Sequence, residues 1–186
     1  SSVLTKLYQF MEANPNIGQA MPKVLYPDGR LQPLCKLLPS PKTLVIRRFF
    51  GFLKSSLQKE NYTYELLFSG YDKIMYVTFL SGCFMFLRTE ALKKVGLFDE
   101  RFFLYTEDTD LSRRIHKYYR TVYYPEASIF HHYQRGSYRD PWLFWCSIKS
   151  AFSYFNKWGW AMDEERDDFN KRALERLSYC NPTKSL

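Results

Sequence analysis

The sequence predicts an α/β fold: a mixed sheet flanked by helices. Three observations point there. The chain has 186 residues, 46% hydrophobic and 25% charged, which suits one soluble domain with a real core. Segments with helical spacing of apolar residues alternate with short β-prone runs. One of those runs, YVTFLSGCFMFL at residues 76–87, is almost wholly apolar, as a central strand covered on both faces should be.

Residues 2–13 read as a helix, because Val3, Leu4, Leu7, Phe10 and Met11 fall on one face, and Asn14-Pro15-Asn16 stops it. Gln19 to Tyr26 reads as a strand, followed by the turn Pro27-Asp28-Gly29 and a second short strand. Pro39-Ser40-Pro41 opens an irregular segment. Residues 42–54 then mix Arg47, Arg48 and Lys54 with Phe49, Phe50 and Phe52, which fits a basic helix on a membrane surface or a core-facing helix with a solvated basic side. Within the apolar run, Ser81-Gly82 marks a bulge or the close approach of a backbone or ligand.

Thr89 is expected to cap a short helix closed by Gly96. Residues 107–119 form another helix, and 121–124 and 128–130 are short strands around Pro125. Asp140-Pro141 is a helix start, with Asp as the cap and Pro at the first helical position, and that helix runs to about residue 157. An amphipathic C-terminal helix covers roughly residues 163–177.

The net charge of +8 favours a phosphate-bearing or membrane-surface partner. Scattered basic residues without a recognition motif argue against nucleic acid. Cys35, Cys83, Cys146 and Cys180 are widely spaced, with no CxxC pair, so free thiols in a reducing, cytoplasmic compartment are expected. No run approaches the roughly 18 apolar residues of a membrane span, and the N-terminus carries no signal-peptide pattern.

The chemistry concentrates in GLFDERFFLYTEDTDLSRRIHKY, residues 96–118, where Glu107, Asp108 and Asp110 follow a dense aromatic run. Acids in a first helical turn complement the helix dipole, and Asp110 can pair with Arg114 one turn on. That accounts for Glu107 and Asp110. Asp108 shares a face with Leu111 and Ile115, and a carboxylate at a buried helix edge needs a partner or a task such as general-base catalysis. His131 and His132 follow a short apolar strand and can bind a metal or serve the fold. Arg135, Tyr138 and Arg139 can hold a diphosphate or lie on the surface.

The segment G-L-F-D-E-R-F-F-L-Y-T-E-D-T-D-L-S-R-R resembles the C-terminal signature of family 2 glycosyltransferases of the rhamnosyltransferase-like branch, G-x-F-D-E-x-F-F-x-Y-x-E-D-x-D-L-x-x-R. SGCFMFLRTEALKKVG, YYPEASIFHHYQRGS and FMEANPNIGQAMPKVLYPDGRLQ resemble its flanking segments, so the likeness covers about residues 3–160. The resemblance implies a partial GT-A fold over 1–160, with 161–186 as a C-terminal helix and tail. It implies inverting transfer from a nucleotide-sugar donor to a glycan or lipid-linked acceptor, in cell-surface polysaccharide synthesis, at the inner face of the membrane.

Asp108 matches the general base and Glu107 its neighbour, which positions the base or the acceptor. Ser81 and Gly82 would line the sugar pocket, with Asp110, Arg114 and Arg135 also at the substrate. His131, with His132 as the fallback, matches a histidine that helps hold a divalent metal, Mg or Mn. The nucleotide-binding half and its Asp-x-Asp motif have no counterpart, since the only D-x-D here is Asp108-Thr109-Asp110. A fragment inactive by itself, with an uncovered sheet that favours homo-oligomers, is therefore expected. The QxxRW motif of processive synthases is also missing, which favours single addition. The competing reading is a non-catalytic module that binds membrane or protein through residues 42–54. A metal-dependent hydrolase using Asp108 and His131 lacks further clustered ligands.

Overall fold

The computed structural model describes residues 2–49, 60–133 and 136–180. Helix α1, Val3–Glu12, opens at Ser2, whose Oγ accepts from the Thr5 amide at 3.2 Å. It leads into β1, Ile17–Leu25, which is buried along most of its length. The cause is a sheet covered on both faces. Ile17 and Ala20 join Leu7 and Met11 of α1 in one core, while Met21 and Val24 belong to a second. Alternation along a strand sends successive side chains to opposite faces, so a doubly covered strand loses its polar positions.

β1 pairs in parallel with β6, Arg120–Phe130. The sheet order is β3-β6-β1-β5, with Met75–Tyr76 (β3) antiparallel to β6 and Phe86–Leu87 (β5) antiparallel to β1. The strands expected on either side of Pro125 are one strand. Its register against β1 jumps where Pro22 faces Tyr124 and Lys23 faces Ser128, which lets the chain pass a residue that has no amide to donate.

The largest difference from the sequence reading lies at residues 76–87. These do not form one central strand. β3 sits on one edge of the sheet and β5 on the other, and between them Phe79–Leu80 (β4) pairs with Cys35–Lys36 (β2) in a separate two-stranded sheet. The segment is apolar because it crosses the sheet under cover, with Val77 and Leu80 fully buried. Its crossing point ends at Ser81-Gly82. The second strand expected after the 27–29 turn shrinks to a single bridge between Leu25 and Leu31.

Helix α2 spans Pro41–Phe49, so residues 50–54 of the basic stretch lie outside the described residues. Of its described cations, Arg47 binds Asn61 and Glu65, both at 2.6 Å, and Lys42 pairs with Glu60 at 3.5 Å. Residues 60–64 are helical. Helix α3, Thr89–Val95, follows Arg88 as its flanking residue, and no side chain caps it; Thr89 is already helical. Gly96 ends it at φ +83°, in the region that favours glycine.

Helices α4, Glu107–His116, α5, Gly136–Arg139, α6, Pro141–Trp158, and α7, Glu164–Cys180, complete the fold. The Asp140 carboxylate accepts from the Trp142 amide at 2.7 Å, as the Asp-Pro start requires. The expected C-terminal helix forms as α7 and packs on the core, with Ala173 and Leu177 buried in the Met21 cluster. Cys35, Cys83 and Cys146 are free thiols. Among the described residues no helix is long and apolar enough to cross a membrane.

Candidate active site

Helix α4 is held tightly to the sheet. A Cβ at Gly18 would lie 2.7 Å from Ile115 Cγ2 and from Tyr119 Cβ, so the helix approaches β1 only because residue 18 is glycine. Ser112 Oγ donates to Gln19 Oε1 at 3.0 Å and lies 3.3 Å from the Leu80 carbonyl, which ties α4 to both β1 and β4.

The N-terminus of α4 is set by two consecutive residues in left-handed conformation, Tyr105 at φ 67° and Thr106 at φ 61°. Such backbone is costly for residues other than glycine, so the surroundings must enforce it. Helix α6 supplies the enforcement. Ser150 Oγ donates to the Leu104 carbonyl at 2.5 Å, and Thr106 Oγ1 donates to the Ser150 carbonyl at 3.2 Å.

The turn aims Asp108 at the crossing segment. Its Oδ2 accepts from the Gly82 amide at 2.7 Å, and its Oδ1 accepts from the Thr109 amide at 2.7 Å. A Cβ on residue 82 would stand 3.1 Å from Asp108 Cβ and 3.2 Å from Oδ2, so glycine permits this close contact. Burial raises the Asp108 pKa, while the two amides and the charge of Lys36 oppose the rise. Glu107 is raised to about 7, first by burial and then by the charge of Asp108, and its Oε2 is buried without a partner. Two adjacent carboxyl groups therefore share one helix tip. One is fixed by amides, and the other stays largely neutral below pH 7.

The expected pairing of Asp110 with Arg114 forms, while Glu107 departs from its expectation. The dipole does not satisfy Glu107. Asp110 is completely buried and holds Arg114 Nε at 2.8 Å, Lys157 Nζ at 2.7 Å and Trp158 Nε1 at 2.8 Å. Arg114 also donates to the carbonyls of Val95 at 2.7 Å and Leu97 at 2.8 Å. Both groups fasten α3 and α6 to α4, and neither presents a free polar atom to a substrate. Gly82 stands beside Asp108, with Ser81 preceding it in the chain. Arg135 lies outside the described residues.

His131 follows β6. Its Nδ1 is 3.0 Å from Gln32 Oε1, and Gln32 Nε2 donates to the carbonyls of Leu25 and His131. Because the amide nitrogen is committed to carbonyls, Gln32 Oε1 is the acceptor and Nδ1 carries the proton. Nε2 keeps its lone pair. No hydrogen bond or ion pair joins His131 to Asp108 among the described residues. Nor does any group of three His, Cys, Asp or Glu there have metal-binding geometry, so His131 alone does not make a metal centre. His132 is exposed.

Two contributors escaped the sequence reading. Gln32 is buried and sets the His131 tautomer; its signal was a glutamine just past the 27–29 turn. Lys36 is paired through β2 with β4, two residues before Ser81-Gly82, and its charge acts on Asp108. Burial pushes the Cys83 thiol up to about 11, which disfavours its thiolate.

An elongated apolar cavity of about 280 Å³ begins at Tyr105 and Thr106, immediately before the acidic pair. It runs between α2 and α6; Asp108 does not line it.

Comparison with known families settles the class. The family model Glycosyl transferase family group 2 matches residues 48–179, most of the chain and all of the α4 site. The chain belongs to glycosyl transferase family group 2. Two curated relatives, both named N-acetylglucosaminyl-diphospho-decaprenol L-rhamnosyltransferase, come from Mycobacterium tuberculosis strains CDC 1551 / Oshkosh and ATCC 25618 / H37Rv. Each is 33% identical over 129 residues, covering 68% of this family group 2 chain and 41% of the relative. The chain thus spans less than half the length of the relatives it matches. No solved structure matches it.

The acid pair is expected to make stability depend on pH. A carboxyl whose pKa is higher in the fold than in the unfolded chain binds more protons when folded, so stability falls as pH rises between the two values. For Glu107 that window runs from the ordinary 4.5 to about 7. Glu107→Gln is therefore expected to melt higher than the wild type above neutral pH and to lose that advantage in mild acid. Parallel melting curves across this window provide the check; a constant offset would show that Glu107 does not titrate there.

Proposed function

We propose that this family group 2 chain carries the acceptor side of an inverting sugar transfer, on a GT-A type sheet, with Asp108 as general base. The observation that supports the reading is the Asp108 carboxylate, held by the Gly82 and Thr109 amides at 2.7 Å each. Amide donors favour the charged form and fix its direction, while burial keeps it basic enough to accept a proton.

The acceptor hydroxyl gives its proton to Asp108. Its oxygen forms the new bond to the anomeric carbon as the bond to the diphosphate breaks, and the nucleoside diphosphate departs with the electron pair. Attack from the face opposite the leaving group inverts the anomeric configuration. Glu107, neutral through most of the acid range, adds no second charge to repel the forming carboxylate–hydroxyl contact. Ser81 and Gly82 form the wall against which the acceptor is set.

A divalent ion would neutralise the departing diphosphate. His131 Nε2 offers it one ligand, but the described residues form no further set around it, so the Asp108 step is derived without it. The relatives act on a saccharide carried by a diphospho-decaprenol. By extension, the acceptor here is a lipid-linked saccharide, the donor a deoxyhexose nucleotide, and the setting cell-surface polysaccharide synthesis at a membrane. The test is the anomeric configuration of the product of the whole protein, read by NMR: inversion is expected, and retention would refute a single displacement assisted by one base.

A further inference from the structure

The cavity at Tyr105 and Thr106 plays no part in the proton transfer, yet it is built from the same turn. One wall is Leu44 and Val45 of α2, and the other is Ile148, Ala151 and Phe155 of α6. Its volume lies just below the roughly 300–1,000 Å³ usual for ligand pockets. The guanidinium in its wall, Arg47, is already paired with Glu65 at 2.6 Å, so the lining leaves that charge neutralised. A sugar would need several convergent polar groups. A hydrocarbon chain needs none.

The outer side of α6, beside this cavity, is unusual. Trp142, Trp145 and Phe152 are 66%, 64% and 56% exposed, and their spacing of three and seven residues puts them on one stripe of α6. Lys149 lies within the stripe and Arg139 just before the helix, both exposed and without an ion pair among the described residues. Phe152 belongs to both the stripe and the cavity wall. Exposed tryptophans interleaved with cations are the composition of a surface that rests at the headgroup level of an anionic bilayer.

We propose that the outer stripe of α6 seats the protein on a bilayer and that the α2–α6 cavity takes the first part of the isoprenoid chain of a membrane-embedded acceptor. The chain would enter past Phe152 and end at Thr106, so that the head sugar arrives at Asp108, two residues on. Identifying the occupant as an isoprenoid rests on the lipid-linked acceptor reading above. In the basic stretch at 42–54, the described cations Lys42 and Arg47 are paired with Glu60 and Glu65.

Flotation with vesicles tests this without any transfer assay. Vesicles of phosphatidylcholine, with or without phosphatidylglycerol, are prepared with and without a long-chain polyprenyl phosphate. The protein is expected to float with the anionic vesicles, and polyprenyl phosphate should increase the bound fraction. The variant with Trp142→Ala and Trp145→Ala should bind all vesicles about tenfold more weakly. Phe152→Glu and Val45→Glu, both at exposed positions, should abolish the polyprenyl increment while leaving a correctly folded chain by circular dichroism. Flotation of these variants like the wild type would overturn the proposal, as would its absence with every vesicle. A soluble dimer that the Trp142 and Trp145 changes dissociate would identify a second copy as the occupant and overturn it too. Since Asp108 has no part in vesicle binding, Asp108→Asn should float normally. Loss of transfer in that variant with flotation intact separates the chemistry from the docking.

Discussion

Asp108→Asn is expected to lower turnover by about 10²–10⁴-fold, the range that a positioned general base contributes. The substitution is nearly isosteric. The asparagine oxygen can still accept from the Gly82 amide, so the crossing segment and α4 stay in register. What disappears is the capacity to take a proton from the acceptor hydroxyl. Donor affinity is expected to remain, since the donor meets other residues, and the loss should fall on kcat rather than on KM. Gly82→Ala probes the same contact from the other side. Its new Cβ would press on Asp108 and turn the carboxylate, so a smaller loss of turnover accompanies it. Steady-state kinetics on both variants, with melting curves as a folding control, provide the check.

The second large effect concerns stability. Arg113→Ala is expected to cost about 3–5 kcal/mol, the usual penalty for breaking a buried ion pair from one side. Arg113 is 1% exposed, donates to both oxygens of Asp163 at 2.7 and 2.5 Å and to Glu165 at 3.0 Å, and lies 4.2 Å from the centre of the Trp158 ring. Removing it leaves the Asp163 carboxylate buried without its main partner. Burial alone would raise the Asp163 pKa, yet the Arg113 fork and the Arg166 amide hold it below the ordinary value. A depressed carboxyl contributes stability above its unfolded pKa and loses it as pH falls toward the folded value. The cost of Arg113→Ala should therefore be full at neutral pH and shrink in strong acid. Urea titration at two pH values measures both; a loss under about 1 kcal/mol at neutral pH would show the pair is only a surface-like contact.

The contrast between these two sites shows what the sequence could and could not convey. Asp140-Pro141 and the 27–29 turn were legible because each acts through its own neighbours within a few residues. The α4 motif was legible as a helix start with acids in its first turn for the same reason. The run at 76–87 misled, because apolar composition reports burial and not strand continuity: a chain crossing beneath a sheet is as buried as a strand within it. The further partners of the three acids were hidden for a related reason. Spacing placed them all in one helical turn, but only tertiary contacts decide that Asp110 meets Lys157 and Trp158 while Asp108 meets Gly82. Gln32 on His131 and Arg113 on Asp163 join residues 99 and 50 positions apart, beyond any local pattern.

The fold has a consequence for the site. Tyr105 and Thr106 hold a strained entry to α4 because α6 binds them through Ser150, and α6 is in turn fixed by Lys157 and Trp158 on Asp110. The buried Asp110 thus fixes the turn that carries Asp108. The same helix carries the exposed tryptophan stripe and one wall of the cavity.

Chemical rescue tests the role of Asp108 most directly. In Asp108→Ala a small carboxylic acid such as formate can enter the vacated space and act as the base. The account expects transfer by the whole protein to be nearly lost in that variant and to return in proportion to added formate, with no comparable rescue of Glu107→Ala. Undiminished transfer in Asp108→Ala, or rescue confined to Glu107→Ala, would contradict it.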